Sequence, residues 1–382
     1  MKKKIVFFLD GLNFGGVENV VMQLVSHIDL EKFEPYVIRL YKDQNELEGL
    51  FPANVKLYTL PFSKKNRGFF FYLLYFRKLC LILREISPDI IHSHNSSFSY
   101  FYLVCATKVS LCHVKNIRTI HFSGFFFLNK NIKDRVRLFF DKLATKISKT
   151  IVVVLTQSSY HMIKKMYVDV PIQCIPNGVD CDKVYNPDLK KEFNRSLLKI
   201  PDKAKVIIYV ARLVDGKNHI TLLNAWKKVN RIGKYNAYLL IVGDGELLSD
   251  MKSYVYKCGI NDSVIFTGGV SNVVDYLSIS DIGVFPSLSE GFGLVLLEKM
   301  AMGLPTIVSN IQTFLSLVKD YETAIFYDVL NPSDLSDKII YLLEHESLCK
   351  EIGNNARQLV KQKYSLDKMC ESYVNIYDAQ FD

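Results

Sequence analysis

Two glutamates flank a glycine-containing turn in the segment Glu290–Glu298, which reads Glu-Gly-Phe-Gly-Leu-Val-Leu-Leu-Glu. Gly291 and Gly293 allow close approach to the backbone, and a helix that begins near Gly293 would present unpaired N–H groups at its positive dipole end. This geometry suits a pyrophosphate group. Glu298 would lie about one and a half turns into the helix, so both carboxylates could bind neutral hydroxyl groups, as sugar recognition requires. The alternative is that Glu290 caps the helix and Glu298 is solvated.

Two cations five residues apart lie in the segment Tyr209–Asn218. Arg212 would end a strand and Lys217 would start a helix, with Gly216 between them, so that both cations could bind one diphosphate. Surface cations on an ordinary turn are the alternative. The diphosphate interpretation gains weight because this turn and the Glu290 loop both follow strands of one parallel sheet and therefore open on the same edge.

The glycine turn Phe14–Gly16 follows the first predicted strand. It could cradle a phosphate, bring the backbone close to a sugar, or form an ordinary loop. His92 and His94 end another predicted strand, where a structural role and, for His94, a contact with an acceptor substrate are both consistent with the pattern.

Asp180-Cys-Asp182 fits the DxD pattern of metal-dependent transferases of a different fold. It follows Asn177-Gly178 in a segment without helical or strand periodicity, which favours coincidence over a metal site. No histidine triad or CxxC pair suggests another metal centre. We therefore predict no metal and no cofactor.

These residues must be positioned by alternating strands and helices. In the first half, apolar runs predict strands at 4–9, 36–40, 55–60, 89–92, 116–120 and 150–155, with helices at 16–28, 69–86, 97–109, 131–147 and 157–167. In the second half they predict strands at 206–211, 238–242, 264–267, 282–285 and 306–308, with helices at 219–231, 246–258, 293–302, 332–345 and 347–363. Such alternation predicts parallel, doubly wound sheets with ligands at the carboxyl ends of the strands.

A chain of 382 residues exceeds what one hydrophobic core normally supports, which predicts two domains. Pro171, Pro176 and Gly178 interrupt both periodicities, so the boundary should fall within 170–180. We expect domains at 1–170 and 177–360, a cleft between their sheets, and a last helix within 364–382 that returns to the first domain.

Charge is divided unevenly along the chain. Residues 1–176 carry 25 Lys and Arg against 13 Asp and Glu, a net charge of +12, whereas residues 177–382 have a net charge of −3. Cations stand beside runs of aromatic and aliphatic residues at 64–78 and 125–140, which is typical of a helix at an anionic membrane surface, although a helix packed on a sheet also needs an apolar face. The longest apolar runs are too short to span a bilayer, and no nucleic-acid-binding signature is present.

The motifs together resemble the large retaining GT-B glycosyltransferase family four, which includes bacterial capsule, exopolysaccharide and lipopolysaccharide sugar transferases. The similarity runs nearly from end to end. It rests on Gly15-Gly16-Val-Glu18, Ile91-His-Ser-His94, Ile175-Pro-Asn-Gly-Val-Asp180, Arg212 with Lys217, Val242-Gly-Asp-Gly-Glu246, and residues 287–298. The resemblance implies two Rossmann-like domains that face each other across a cleft.

The resemblance also implies roles for individual residues. Arg212 and Lys217 match the pair that holds the donor diphosphate and stabilises the departing nucleoside diphosphate. Glu290 matches the carboxylate that contacts the donor sugar, and Glu298 matches the residue that binds the ribose. The remaining implied donor contacts are the backbone N–H groups of Phe292, Gly293 and Leu294, the glycine loop at Gly15 and Gly16, and His121, which resembles a histidine lining the sugar site.

The expected activity is transfer of a hexose from a nucleotide sugar, with a UDP-sugar favoured, to a hydroxyl of a growing glycan with retention of configuration. Preorganised cations would stabilise the leaving group without a metal. The acceptor is expected to be lipid-linked and the protein cytoplasmic, peripheral at the inner face of the cell membrane. The alternatives are a GT-B nucleotide-sugar epimerase and a non-catalytic nucleotide-sugar-binding protein.

Overall fold

The computed structural model describes residues 2–13, 15–65, 70–95, 97–110, 113–121, 132–188, 193 and 195–379. Phe14, residues 66–69 and residues 122–131, which belong to segments considered above, lie outside these ranges. The chain divides into two compact units, Met1–Asn177 with Met369–Asp382, and Gly178–Lys368.

The first unit contains a seven-stranded parallel sheet in the order β3-β2-β1-β4-β5-β6-β7. Its strands are rich in β-branched and aromatic residues that are buried on both faces, as expected when helices cover both sides of a parallel sheet. The strands are β1 Lys3–Leu9, β2 Phe33–Tyr41, β3 Lys56–Phe62, β4 Ile90–Ser93, β5 Lys115–Ile120, β6 Ile151–Val154 and β7 Ile172–Cys174.

Six helices accompany this sheet. They are α1 Gly16–His27, α2 Phe71–Ile86, α3 Ser97–Ser110, α4 Ile132–Ile147, α5 Gln157–Met166 and, at the end of the chain, α13 Leu366–Asp378. The hydroxyl of Thr156 accepts a hydrogen bond from the Ser159 amide at 3.1 Å and so caps the start of α5. From Met369 onward α13 belongs to the first unit, where Tyr373 and Tyr377 are buried.

The second unit contains a six-stranded parallel sheet in the order β10-β9-β8-β11-β12-β13. Its strands are β8 Lys205–Val210, β9 Ala237–Val242, β10 Val264–Gly268, β11 Ile282–Phe285, β12 Thr306–Ser309 and β13 Ile325–Tyr327. Its helices are α6 His219–Arg231, α7 Leu248–Lys257, α8 Val273–Ser278, α9 Leu294–Ala301, α10 Gln312–Leu315, α11 Pro332–Glu344 and α12 Glu346–Lys363.

The prediction of two doubly wound parallel sheets is confirmed. Four short elements were missed: β7, β13, α8 and α10. β7 has only three residues between Pro171 and Pro176, which we interpreted as a linker, but it pairs with β6. The first sheet therefore extends beyond residue 170. Elements of three to six residues carry too few apolar positions for a periodic pattern to be visible.

In each sheet the strand order reverses once, between β1 and β4 in the first unit and between β8 and β11 in the second. Ligands of doubly wound proteins bind outside the carboxyl ends of the strands at such a reversal. Asp10 and His94 follow β1 and β4, whereas Arg212 and the loop of Glu290 follow β8 and β11. Within the described part of the chain, no helix combines the length and apolar character needed to cross a bilayer.

Candidate functional site

The turn after β8 is shaped by glycines of the loop that follows β9. A Cβ atom on Gly243 would overlap the carbonyl oxygen of Ala211, and one on Gly245 would overlap that of Leu213. Gly243 also has a φ of +140°, which side chains rarely adopt. The two loops therefore pack backbone against backbone, and this contact fixes the course of the chain around Arg212.

Lys217 ends a short 3₁₀ turn, Asp215–Lys217, directly before α6. The buried hydroxyl of Tyr209 in β8 donates a hydrogen bond to the carbonyl oxygen of Lys217 at 2.6 Å. Asn218 has a φ of +57°, and its side-chain Nδ2 donates to the carbonyl oxygen of Pro286 at 3.0 Å. The turn is thus held both by its own strand and by the loop after β11.

The ammonium group of Lys217 lies 2.5 Å from Oε1 of Glu290. The Glu290 side chain is only 10% exposed and that of Lys217 is 24% exposed, so the ion pair is largely shielded from solvent. Thr313 donates to the Glu290 carbonyl oxygen at 2.8 Å, and the Leu288 amide donates to the Gly216 carbonyl oxygen at 3.0 Å. The structure therefore brings together two residues that are 73 positions apart in sequence.

The N-terminus of α9 has no side-chain cap. Gly293 precedes the helix with a φ of +90°, and a Cβ atom there would lie 2.9 Å from the ring of Phe314. Phe292 is buried, and Leu294 is the first helical residue. The alternative in which Glu290 caps this helix is therefore wrong. The first amides of α9 remain available for an anionic group.

Glu298 lies in the second turn of α9 and is partly buried rather than solvated. Burial raises its pKa to about 7, and a hydrogen bond from Tyr185 opposes that rise. Tyr185 lies in the segment that precedes the second sheet. The sequence pattern gave no signal that this tyrosine would meet α9, so this partner of Glu298 was missed.

Lys299 lies on the inward face of α9, is fully buried, and was also missed by the sequence analysis. Its ammonium group donates to the Val284 carbonyl oxygen at 2.7 Å and lies 5.6 Å from the ring centre of Tyr209 and 5.1 Å from that of Phe285. Burial lowers its pKa to about 7, against the attraction of Glu298. A cation so deep in a core gives no periodic signature in the sequence.

Arg212 follows β8 by two residues and is exposed. Its guanidinium group makes no hydrogen bond or ion pair with any residue that the structure describes. The structure thus pairs Lys217 with Glu290 but gives Arg212 no partner among the described residues, so the five donors of its guanidinium group are open to a ligand.

In the first unit, Gly15 precedes α1 and Gly16 is its first residue. A Cβ atom on Gly15 would overlap the carboxylate of Glu18, which therefore lies against the turn. The side-chain Nδ2 of Asn95 donates to Oδ1 of Asp10 at 2.7 Å across the ends of β4 and β1. The carboxylates of Glu18 and Asp10 suit hydroxyl groups better than a phosphate, because a phosphate is also negatively charged and would be repelled.

Three histidines lie at the carboxyl ends of β4 and β5. His92 is fully buried and bonded through both ring nitrogens, to Tyr377 at 2.7 Å and Thr119 at 2.8 Å, which is a structural role. Nδ1 of His94 lies 2.8 Å from Nε2 of His121. Burial lowers the pKa of His92 to about 3, that of His94 well below its usual value, and that of His121 to about 4.

The carboxylates of the DxD-like segment have protein partners. Oδ1 of Asp180 accepts hydrogen bonds from the amides of Asp182 and Lys183, at 3.2 and 2.8 Å. Asp182 pairs with Lys361 at 2.8 Å on the protein surface. Within the ranges given above, no group of three or more His, Cys, Asp or Glu side chains is arranged to hold a metal.

Comparison with known proteins places this geometry in a family. The family model described as "Glycosyltransferase Family 4" matches residues 14–183, and the model described as "Glycosyl transferases group 1" matches residues 190–359. An Escherichia coli relative, UDP-Gal:alpha-D-GlcNAc-diphosphoundecaprenol alpha-1,3-galactosyltransferase, is 26% identical over 95% of this chain and 93% of its own. The capsular polysaccharide biosynthesis glycosyltransferase CapM of Staphylococcus aureus is 24% identical over 79% and 80% of the two chains.

Solved structures show the same fold. A glycosyltransferase from Rickettsia africae superimposes with a TM-score of 0.80 at 21% identity and covers 98% of both chains. HepE of Anabaena in complex with UDP-glucose has a TM-score of 0.81 at 16% identity and covers 99% of this chain and 100% of its own. The chain has the GT-B fold of two Rossmann-like domains, and it belongs to the family-4 glycosyltransferases.

Proposed function

We propose that the protein transfers a hexose from a nucleotide sugar to a hydroxyl of a growing cell-surface glycan, with retention at the anomeric carbon. The observation that carries the proposal is the shielded Lys217–Glu290 ion pair beside the uncapped start of α9, where the strand order of the second sheet reverses. A UDP-sugar and a lipid-linked acceptor are the favoured substrates, because the name of the E. coli relative contains both.

The proposed chemistry is stabilisation of a departing diphosphate. Breaking the bond between the sugar and the diphosphate develops negative charge on the leaving group, which Arg212, Lys217 and the first amides of α9 neutralise without reorganisation. Glu290 contacts the transferred sugar, Glu298 binds ribose hydroxyls, and His121 contacts a sugar hydroxyl. In this proposal the two cations perform the role for which other transferases use a metal ion.

The first test is thermal denaturation with UDP, GDP, ADP and CMP. A nucleotide present at 100 times its dissociation constant adds about 2.7 kcal/mol to the free energy of unfolding, so a selective shift with UDP is expected. The Arg212→Met variant should lose this shift, and Lys252→Met, which alters an exposed lysine of the same unit, should keep it. No shift with any nucleotide would contradict the donor assignment.

The second test is a double-mutant cycle on the ion pair. We expect Lys217→Met and Glu290→Gln each to lower kcat/KM by about 100-fold or more, as removal of a preorganised charge-stabilising group does elsewhere. The double variant should be little worse than either single variant, because the two side chains act as a pair. Conversion of the donor without any acceptor would indicate an epimerase. Near-normal rates in either single variant would overturn the site.

We further propose that helix α4 of the first unit binds an anionic membrane. Its exposed apolar residues recur at intervals of three or four and form one outward-facing stripe, which consists of Ile132, Val136, Phe139, Leu143 and Ile147. The buried side of the helix is instead formed by Asp141, Ala144 and Thr145. Leu138 and Phe140 also pack inward, so the helix has an apolar inner side and, in addition, an exposed apolar stripe that an ordinary amphipathic helix lacks.

Exposed cations border the apolar stripe of α4. Lys133, Arg135, Lys142 and Lys146 are all exposed, whereas the carboxylate of Asp141 is fully buried in an ion pair with Arg118. An apolar face flanked by cations matches a helix that lies in the headgroup region of an anionic bilayer. Four cations near such a surface contribute about 4 kcal/mol to the free energy of membrane binding at low salt. Localisation at the membrane and access to a lipid-linked acceptor follow from this surface.

Co-flotation with liposomes that contain anionic phospholipid tests the surface. The wild-type protein should float at low salt and be released at high salt, because the Debye length shortens. Phe139→Asp should abolish flotation. The matched control Leu330→Asp places the same charge at an exposed apolar position of the second unit and should have no effect. Equal flotation of both variants, or none by the wild type, would contradict the proposal.

A further inference from the structure

Two histidines of the first unit, His94 and His121, share a hydrogen bond whose direction determines what His121 offers to a ligand. His94 follows β4, where its amide donates to the Phe8 carbonyl oxygen at 3.0 Å. His121 follows the neighbouring strand β5. Parallel pairing of β4 with β5 brings the two rings together, with Nδ1 of His94 2.8 Å from Nε2 of His121.

The His94 ring is fixed on several sides. Its centre lies 4.1 Å from that of His92 and 6.5 Å from that of Phe7, with which it stacks. His92 is itself fixed by hydrogen bonds to the hydroxyls of Tyr377 and Thr119. Rotation of His94 away from His121 would displace these rings. The short contact is therefore a property of the packed core and not of a mobile surface side chain.

Neutral imidazoles leave two possible directions for the hydrogen bond. A neutral ring has one N–H donor and one acceptor nitrogen, and burial lowers the pKa of both rings, which keeps them neutral near pH 7. If His94 donates from Nδ1, its Nε2 is a bare acceptor. If His121 donates from Nε2, the Nε2 of His94 must carry a hydrogen.

The Nε2 atom of His94 is buried and has no hydrogen-bond partner among the residues that the structure describes. A buried N–H group without a partner is rarer in folded proteins than a buried acceptor without one. Donation from Nδ1 of His94 to Nε2 of His121 is therefore the favoured direction. In it, His121 accepts at Nε2 and carries its hydrogen on Nδ1, which no hydrogen bond to a described residue occupies.

We infer that His94 is a positioning residue that holds His121 in the Nδ1–H tautomer, so that the partly exposed His121 presents an N–H donor to a sugar hydroxyl. This assigns His94 a role in orienting His121 in place of a direct contact with acceptor. The part that concerns the sugar rests on the proposed function, whereas the tautomer is a property of the free protein. His94 acts only through His121, since its own second nitrogen is enclosed.

Long-range ¹H–¹⁵N NMR of protein labelled with [¹⁵N]histidine tests the tautomer without any substrate. The chain has eight histidines, and a spectrum of His121→Asn identifies the signals of His121. We expect a protonated Nδ1 and an unprotonated Nε2 on His121 in the wild-type protein. The His94→Phe variant keeps a ring in the same space but cannot donate, and its His121 should no longer be confined to that tautomer. A protonated Nε2 in the wild type would overturn the inference.

Kinetics separates positioning from a purely structural role. His94→Phe should lower kcat by about tenfold to a hundredfold with little change in the KM of the nucleotide sugar, the usual effect of losing a group that orients another. His94→Asn, whose amide can donate in place of Nδ1, should recover most of the rate. If kcat fell equally in both variants, in proportion to a fall in their melting temperatures, the positioning role would be contradicted. Absence of sugar transfer by the wild type would refute the proposed function and leave the NMR result to decide the tautomer.

Discussion

Replacement of the buried Lys299 by Met tests how much a buried cation lowers the free energy of unfolding of the unit that carries the proposed donor site. The stem of Lys299 passes over Gly283, where a Cβ atom would lie 2.9 Å from its Cδ, and the ammonium group ends between the rings of Tyr209 and Phe285. A methionine has nearly the same length and flexibility, and its sulfur interacts favourably with aromatic rings. The variant therefore fills the same space without the charge.

The magnitude follows from the pKa of Lys299, which burial lowers from 10.5 to about 7. At about 1.4 kcal/mol for each tenfold change, this corresponds to a cost of about 5 kcal/mol for the charged form in the folded state. The Met variant also loses the hydrogen bond to Val284, which contributes about 1.5 to 3 kcal/mol. We expect a net stabilisation of about 2 kcal/mol near pH 7, or roughly 4 to 8 °C in Tm for a unit of this size.

The advantage of the Met variant should depend on pH in one direction. Between pH 7 and 10.5 the unfolded chain binds a proton at Lys299 that the folded chain has released, so wild-type stability rises with pH. The difference in the free energy of unfolding between the variant and the wild type is therefore largest near pH 7 and below, and it decreases towards pH 10. Glu298, whose pKa is raised from 4.5 to about 7, changes the free energy of unfolding mainly between these two values, below this window.

Urea denaturation followed by tryptophan fluorescence measures this difference. Trp226, the single tryptophan of the chain, is buried in α6 of the second unit and donates to Ser263 at 3.0 Å, so it reports on the unit that contains Lys299. Lys252→Met is the control for loss of an exposed lysine and should change stability by less than about 0.5 kcal/mol. A Met variant that is less stable than wild type at pH 7, with a gap that stays constant to pH 10, would refute the reasoning.

Three further predictions concern the same framework. Gly245→Ala should weaken nucleotide binding and lower the free energy of unfolding by about 2 kcal/mol or more, because its Cβ would overlap a backbone carbonyl of the turn after β8. A Cβ atom on Gly216 meets nothing within 4 Å, so Gly216→Ala should be tolerated. Melting temperatures with and without nucleotide measure both effects. Asp141→Ala should cost about 3 to 5 kcal/mol in urea denaturation, because it leaves the buried guanidinium of Arg118 without its partner. Glu298→Gln should remove the loss of stability that occurs as pH rises from 4.5 to 7, since the raised pKa of this carboxyl makes the folded state favour its protonated form; melting temperatures across that range test it.

The sequence was sufficient for the framework because long strands leave a clear apolar pattern. It also predicted that the turn of Lys217 and the loop of Glu290 would open on the same edge, since both follow strands of one parallel sheet. Direct pairing of β8 with β11 is the reason that this argument succeeded. Proximity at a sheet edge depends only on strand order and direction, which the alternation of strands and helices largely determines.

Buried polar groups could not be predicted in the same way. Lys115 and Arg118 lie in β5 and are buried on opposite faces of the sheet, where they meet the Ala379 carbonyl oxygen and Asp141. Pattern analysis assigns such cations to the surface, because burial of an unpaired charge is unfavourable. Their partners are 264 and 23 residues away in sequence, and only the folded structure shows that the charges are compensated.

Helix α4 shows the physical limit of pattern analysis most clearly. Its apolar stripe alone would predict burial against the sheet, yet the helix is rotated so that Asp141 faces inward and bonds both Arg118 and Tyr167. Turning the stripe inward would expose that ion pair and leave the cation of β5 unpaired, at a cost of about 3 to 5 kcal/mol. The five apolar residues of the stripe stay 37–72% exposed, and at roughly 1.5 to 3 kcal/mol for full burial of each they forgo more free energy than the ion pair supplies, so the ion pair alone does not account for their exposure. A bilayer would recover much of that free energy without rotation of the helix, which is the physical reason for the membrane-binding face proposed above.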